Sequence, residues 1–352
     1  MNFAMDDDVL TLVESIADFF ERRGDASAIA DASAAGAVAD RERWAALCQM
    51  GLPALCLAEP DGIGAGVLEA TAVAEVIGAA LVPEPATGTI VLARAWGAHA
   101  PTSEFLAGLC SGSQITALRA FHDVVLSPAG DLSGAVQVPD DGVTDAVALL
   151  ARDAYTAESA IVVVDRATLP APISRTAVDP TRSAALVSVD GVEPTEVLRV
   201  SNPAADRMRR EHVLLTAAEL VGGMQKVLTD TIGHVKTREQ FGRPIGSFQA
   251  IKHKLADMYA ATEQARAAVQ FAALDCATNT DAGSTSVAAV ARWVPRSAID
   301  LFEEAVHLYG AMGYSWEVPV HLHLRRALSI RALINAGSIV SHRRSAAIPE
   351  AV

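Results

Sequence analysis

The sequence has few cysteines, few aromatics and a deficit of positive charge. Its four cysteines, Cys48, Cys56, Cys110 and Cys276, are scattered, and no two have metal-binding spacing. They are expected to be reduced packing thiols in a cytoplasmic protein. Basic residues number 28 against 42 acidic ones, giving a net charge of −14, which argues against nucleic-acid binding. No uninterrupted apolar run reaches the roughly 18 residues of a membrane span. The opening MNFAMDDDVL is acidic, unlike a secretory signal or a transit peptide. Asp6 to Asp8 and Glu303-Glu304 are expected to be solvated faces, and no metal site is expected, because paired acids need further ligands to hold an ion.

What is abundant is apolar. Hydrophobic residues make up 51% of the 352 positions and charged ones 20%, the composition of a globular chain with a substantial core. The length suggests two or three sub-domains. Much of the apolar content is alanine, which suits closely packed helices or a buried subunit interface.

Periodicity divides the chain into three zones. Residues 1–113 read as an N-terminal helical domain. Val9, Leu12, Val13, Ile16 and Phe20 follow a helical stripe, and further helices are expected near 38–50, 67–81 and 102–109. Residues 114–204 read as a middle β-barrel or sandwich domain. Its short runs QITAL, VVL, AVALLA, AIVVVD and ALVSVDGV are broken by Gly, Pro and Asp. Residues 205–352 read as a C-terminal four-helix bundle, an α+β architecture overall. Helices are expected over 207–236, from 248 onward, over 284–308 and over 319–340, with Pro295 kinking the third.

Between the first two bundle helices stands Arg238-Glu-Gln-Phe-Gly-Arg-Pro-Ile-Gly. A later segment reads His307-Leu-Tyr-Gly-Ala-Met-Gly-Tyr, and Gly51-Leu-Pro to Gly66-Val-Leu-Glu is a looser third signature. With the order of the three zones, these segments resemble the acyl-CoA dehydrogenase family over nearly the whole chain. The resemblance implies FAD as cofactor, and α,β-dehydrogenation of an acyl-CoA thioester, with a carboxylate as base. It also implies that the Arg-x-Gln-Phe-Gly turn crosses to a neighbouring subunit and contacts the pyrophosphate and adenine of that subunit's FAD. Arg238 suits phosphate oxygens, Gln240 is a neutral donor and acceptor, and Phe241 offers an apolar face. His307, Gly310 and Ala311 join the same site by this resemblance, near a turn that also includes Gly313 and Tyr314. The alternative is a solvated helix–helix turn whose arginines pair with surface acids.

Three departures from the family pattern bear on function. The place of the family's usual base falls at Ile334-Asn335-Ala336, with no carboxylate. The alternative base position, on the first bundle helix, falls at His212 beside Glu211. One residue is about 100° of helix rotation, so the two side chains point different ways. The competing reading of His212 is a surface or capping histidine in the charged helix start Arg207-Met-Arg-Arg-Glu-His. The family's flavin-cradling segments are missing from the β zone, which reads Ile115-Thr-Ala-Leu-Arg and then Val136-Gln-Val-Pro. Arg325-Arg326 is expected to form surface ion pairs. Asp179-Pro-Thr-Arg182 is expected to be a strand-connecting turn without chemistry.

Retention of the donated contacts without a base or cradle resembles the degenerate subunit of heteromeric (α2β2) actinobacterial steroid side-chain acyl-CoA dehydrogenases. That resemblance implies a homologous partner chain supplying the base, and an electron-transfer flavoprotein as electron acceptor. Two alternatives stand beside it. One is a self-sufficient homo-oligomer with Glu211 or His212 as an unusual base. The other is a flavin-free structural or regulatory module.

Overall fold

The computed structural model describes residues 7–23, 25–34, 39–139, 141–176, 178–278 and 280–336. Among them, helices come first: α1 (Asp7–Arg23), α2 (Asp25–Ala34), α3 (Arg41–Gln49), α4 (Val67–Ala79), α5 (Ala86–Gly97) and α6 (Glu104–Ser111). Local chemistry sets several of their ends. The Asp40 side chain accepts the Glu42 N–H at the start of α3, and Ser103 accepts the Leu106 N–H at the start of α6. Gly112 ends α6 at φ 74°, a left-handed cap that favours glycine.

Strands follow: β1 (Thr116–Leu126), β2 (Leu132–Ser133), β3 (Ala135–Pro139), β4 (Ala146–Asp153), β5 (Ser159–Asp165), β6 (Ser174–Thr176), β7 (Ala184–Ser188) and β8 (Glu196–Val200). They form one sheet in the order β2-β1-β4-β5-β8 and another in the order β3-β7-β6. Strand β4 explains its own sequence. Val147 and Leu149 belong to a core with Val136, Val138 and Val187 of the second sheet, while Ala146, Ala148 and Leu150 belong to the main helical core. Both faces are buried, so AVALLA reads as a continuous apolar run rather than an alternating one.

The chain then returns to helix with α7 (Asn202–Thr237). A hairpin, β9 (Glu239–Gln240) and β10 (Arg243–Pro244), leads to α8 (Gln249–Thr278), α9 (Thr280–Tyr309) and α10 (Val320–Ala336). Ser201 caps α7, accepting the Ala204 N–H. Pro295 lies within α9. The mixed helix and sheet architecture expected from the sequence is therefore present, with helices flanking a central sheet region.

Helix α7 organises the molecule. It crosses α4 almost backbone to backbone. A Cβ on Gly78 would fall 1.9 Å from the Glu219 carbonyl oxygen, and one on Gly222 would fall 1.8 Å from that of Glu75. Only glycine fits at either point, and this close approach holds the middle of α7 against the N-terminal helices. Helix α5 was not separately legible. Its sequence ATGTIVLARAWG is rich in β-branched residues and glycine, which favour other states, and nearly all of it is buried. Tertiary burial, not propensity, makes it a helix. No helix of the described residues is long and apolar enough to cross a membrane.

Candidate functional site

The motif at 238–246 folds as a two-residue hairpin. Gln240 pairs with Arg243 and Glu239 with Pro244, which leaves Phe241 and Gly242 as the turn. Their φ angles are 56° and 76°, the left-handed pair that a type I′ hairpin requires. Glycine adopts this conformation freely, whereas for phenylalanine it is strained. The Phe241 side chain gains no burial in return, since it is 92% exposed. Its ring meets Phe248 edge-on at 6.2 Å, and the Arg243 guanidinium stacks over Phe248 at 4.1 Å. The Arg238 carbonyl accepts the Ile245 N–H at 2.8 Å, closing the base of the hairpin. The Arg238 and Gln240 side chains are exposed.

One turn before Arg238, His234 stacks on Tyr309 at 4.2 Å. This contact joins the end of α7 to the end of α9 and brings the two motif regions together. Gly310, at φ 63°, opens a 3-10 turn over Gly310–Tyr314. His307, Gly310, Ala311, Met312 and Tyr314 are exposed there. Arg238, Gln240, Phe241, His307, Gly310 and Ala311 thus share one end of the bundle, facing outward.

His212 lies elsewhere, in a cavity of about 110 Å³ that α5, β1, the Pro180–Arg182 turn, α7 and α10 enclose. The surface reading of His212 is corrected here: the ring is buried and stacks on Phe121 at 5.1 Å. Its Nδ1 is buried without a hydrogen-bond partner. Burial, with Arg119 and Arg182 nearby, pushes its pKa down to about 3. Arg119 donates to the carbonyls of Gln137 and Leu118, and burial beside Arg182 lowers it to about 10. Ile334, at the family's base position, is 2% exposed, and Leu333 and Ile330 line the same cavity. The side chain of Asn335 lies outside the described residues.

Two aspartates line this cavity, and both are committed to other groups. Asp141 accepts the Val143 N–H at 3.0 Å, the Thr144 N–H at 2.9 Å and the Thr144 hydroxyl at 2.7 Å. Asp179 accepts from Arg326 at 2.5 Å, from the Thr181 N–H at 2.9 Å and from the Thr181 hydroxyl at 2.6 Å. Burial raises the Asp179 carboxyl, yet Arg326, Thr181 and Arg182 together hold it below the usual range. Arg326 also reaches the Leu81 and Val82 carbonyls, both at 3.3 Å. Arg182 donates to Val82 O at 2.8 Å and pairs with Glu219 at 2.8 Å, and Thr87 donates to the same carboxylate.

Arg326, expected at the surface, is therefore the centre of a buried network, and the Asp179–Arg182 turn supplies three of its members, Asp179, Thr181 and Arg182. It ties α10 and the β region to the α4–α5 junction and α7. Sequence reasoning missed it because Arg326 lies 147 residues from Asp179 and 145 from Thr181.

Glu211 opens onto a different cavity, of about 570 Å³, on the other side of α7. Its buried carboxylate accepts from Arg207 at 2.8 Å and stands 3.4 Å from Arg94 Nη1. It faces the apolar residues Leu57, Leu106 and Ile161. The two side chains proposed as alternative bases are thus not brought together. Among the described residues, no group of three or more His, Cys, Asp or Glu side chains could hold a metal ion.

Comparison with known proteins places these features. A family model for the N-terminal domain of acyl-CoA dehydrogenases matches residues 6–113, and one for the C-terminal domain matches residues 208–344. A curated relative, acyl-CoA dehydrogenase IpdE2 of Mycobacterium tuberculosis, is 31% identical over 335 residues, covering 94% of each chain. Among solved structures, the ChsE4-ChsE5 complex from Mycobacterium tuberculosis aligns with a TM-score of 0.82 at 24% identity, over 99% of this chain and 100% of that one. The Tcur3481-Tcur3483 steroid ACAD aligns with a TM-score of 0.80 at 23% identity, over 96% and 98%. At those identities the likeness shows the fold.

Proposed function

The chain belongs to the acyl-CoA dehydrogenase family, and from that premise we propose that it is the cofactor-contact subunit of a heteromeric enzyme rather than a self-sufficient catalyst. In this reading a homologous partner chain holds FAD and supplies the base. The substrate is an acyl-CoA thioester, a steroid side-chain thioester being the class suggested by the steroid ACAD whose fold the chain shares. When bound, FAD accepts the β hydrogen of the thioester as hydride.

The observation that carries the reading is the hairpin. A strained, 92% exposed Phe241 beside an exposed Arg238 is placed to touch something outside this chain. Strain without burial is unfavourable for the isolated chain, and it is explicable where a ligand or partner covers the ring. Arg238 and Gln240 fit the pyrophosphate and adenine end of FAD, as a charged fork and a neutral donor. They do not serve this chain's own cavity. Arg238 follows His212 by 26 residues along α7, about 39 Å at 1.5 Å per residue, beyond the reach of one dinucleotide.

The cavity at His212 fits the ring end of FAD poorly. About 110 Å³ falls below the roughly 300–1,000 Å³ of small-molecule sites. Its histidine, with a pKa near 3, is too weak a base for abstracting an α proton at neutral pH. Its aspartates are held by Arg326, Thr181 and Thr144, and Glu211 faces away. The fold is also shared with complexes of two different chains, ChsE4-ChsE5 and Tcur3481-Tcur3483.

Purification of this chain alone, and together with a homologous acyl-CoA dehydrogenase chain, tests the proposal. The chain alone should be colourless, and the co-purified complex should carry flavin and oxidise acyl-CoA. A yellow, active homo-oligomer of this chain alone would overturn it.

A further inference from the structure

Helix α7 carries a second cavity on the side away from His212, and nothing in the dehydrogenation chemistry uses it. It lies between the 56–61 loop, α5, α6, strands β5 and β8, and the first turns of α7. Its volume of about 570 Å³ is within the range of small-molecule sites and roughly five times that of the His212 cavity. Much of the wall is apolar, with Leu57, Leu106, Ile161 and Met208 contributing.

One polar cluster interrupts that wall. Arg94, Arg207 and Glu211 meet there, two guanidinium groups around one carboxylate. Arg207 makes the hydrogen bond to Glu211 at 2.8 Å. Arg94 Nη1 stands 3.4 Å from the same oxygen and is buried with no hydrogen-bond acceptor. A buried donor that is ion-paired but makes no hydrogen bond is incompletely satisfied, and a cluster of two cations and one anion keeps one positive charge. Glu59 and Asp61 also line the cavity, but both are exposed, and water and salt screen them.

We propose that this cavity is a binding site for an amphipathic monocarboxylate. The carboxylate accepts from Arg94 and from the exposed part of the Arg207 guanidinium, completing a balanced two-cation, two-anion cluster. The apolar body lies along Leu57, Leu106, Ile161 and Met208. An apolar wall with a few convergent polar groups is the usual build of such a site. The site needs no flavin and no partner chain, so it stands or falls independently of the heteromer reading.

Calorimetric titration of the full chain with octanoate and with 1-octanol tests it. Octanoate should saturate at one per chain and bind at least about tenfold more tightly than octanol, because only the carboxylate satisfies the arginines. Arg94→Gln keeps the Arg207–Glu211 pair, and it should weaken octanoate about tenfold or more while leaving octanol unchanged. Ala98→Trp, at an exposed position lining the cavity, should weaken both by blocking entry without touching the charges. Equal affinity for the two probes would overturn the proposal. So would octanoate binding indifferent to both substitutions, or the absence of saturable binding to the folded chain.

Discussion

Glu211 and His212 are adjacent on α7, yet they open onto separate cavities. The carboxylate is held by Arg207 at 2.8 Å, while the imidazole stacks on Phe121 at 5.1 Å. The roughly 100° step between them separates an ion-pair cluster from a buried neutral ring. The carboxylate is engaged by Arg207 and faces away from the His212 cavity, and this separation underlies the division of labour proposed between this chain and its partner.

The buried histidines make stability depend on pH. His212 and His323 each have a folded pKa near 3, because burial opposes the charged form. In the unfolded chain each titrates near 6.5, so below that value the unfolded state binds more protons. Their contribution is fully present above about pH 6.5 and is lost as pH falls towards 3, at about 1.4 kcal/mol per pH unit for each. Urea unfolding at pH 7, 6 and 5 should show a falling midpoint, and His212→Gln should make the fall shallower. A midpoint independent of pH over this range would contradict the burial of neutral imidazoles.

The Arg326–Asp179 pair should be essential to the fold when broken and replaceable when removed whole. Both side chains are almost fully buried. Asp179→Ala leaves the Arg326 guanidinium without its 2.5 Å partner, and should cost about 3–5 kcal/mol in urea unfolding. Replacing both together with leucine should recover much of that loss, because no uncompensated charge remains and Glu219 keeps Arg182. Equal losses from the single and double replacements would indicate a role for the charges beyond mutual compensation.

Phe241 should work against the isolated chain and for the assembly. Phe241→Gly relieves a bulky residue at φ 56° and removes an exposed ring, so it should stabilise the free chain by up to about 1 kcal/mol. The same substitution should weaken flavin retention in the proposed heteromer if the partner's flavin covers the ring. Thermal unfolding of the free chain and flavin retention by the complex measure the two effects. Destabilisation of the free chain would mean that the ring serves the intramolecular packing against Phe248.

Much of the fold was legible because its signals are local. The helical stripe of Val9, Val13, Ile16 and Phe20, the buried strand run AVALLA and the glycines of the hairpin each declare their element within a few residues. The hairpin that presents Arg238, Gln240 and Phe241 was legible as a turn because its signal is local as well. His212 read as a surface residue because its sequence neighbours are arginines and a glutamate. What buries it, Phe121 and the Gly88 face of α5, comes from far along the chain. Arg326 was misread for the same reason, since Asp179 and Leu81 are distant in sequence. Helix α5 lacked a signal of its own because its β-branched residues are helical only through burial.

The most direct measurement of the central claim is flavin dissociation from the assembled heteromer, with this chain in its natural form and as Arg238→Ala. Arg238 is exposed, so its truncation should leave the complex able to assemble. If the side chain reaches a phosphate of the partner's FAD, its loss removes a charge-assisted contact of about 1.5–3 kcal/mol, and flavin affinity should fall roughly 10- to 150-fold. An intact Arg238→Ala complex that retains flavin as tightly as the unmodified one would contradict the account.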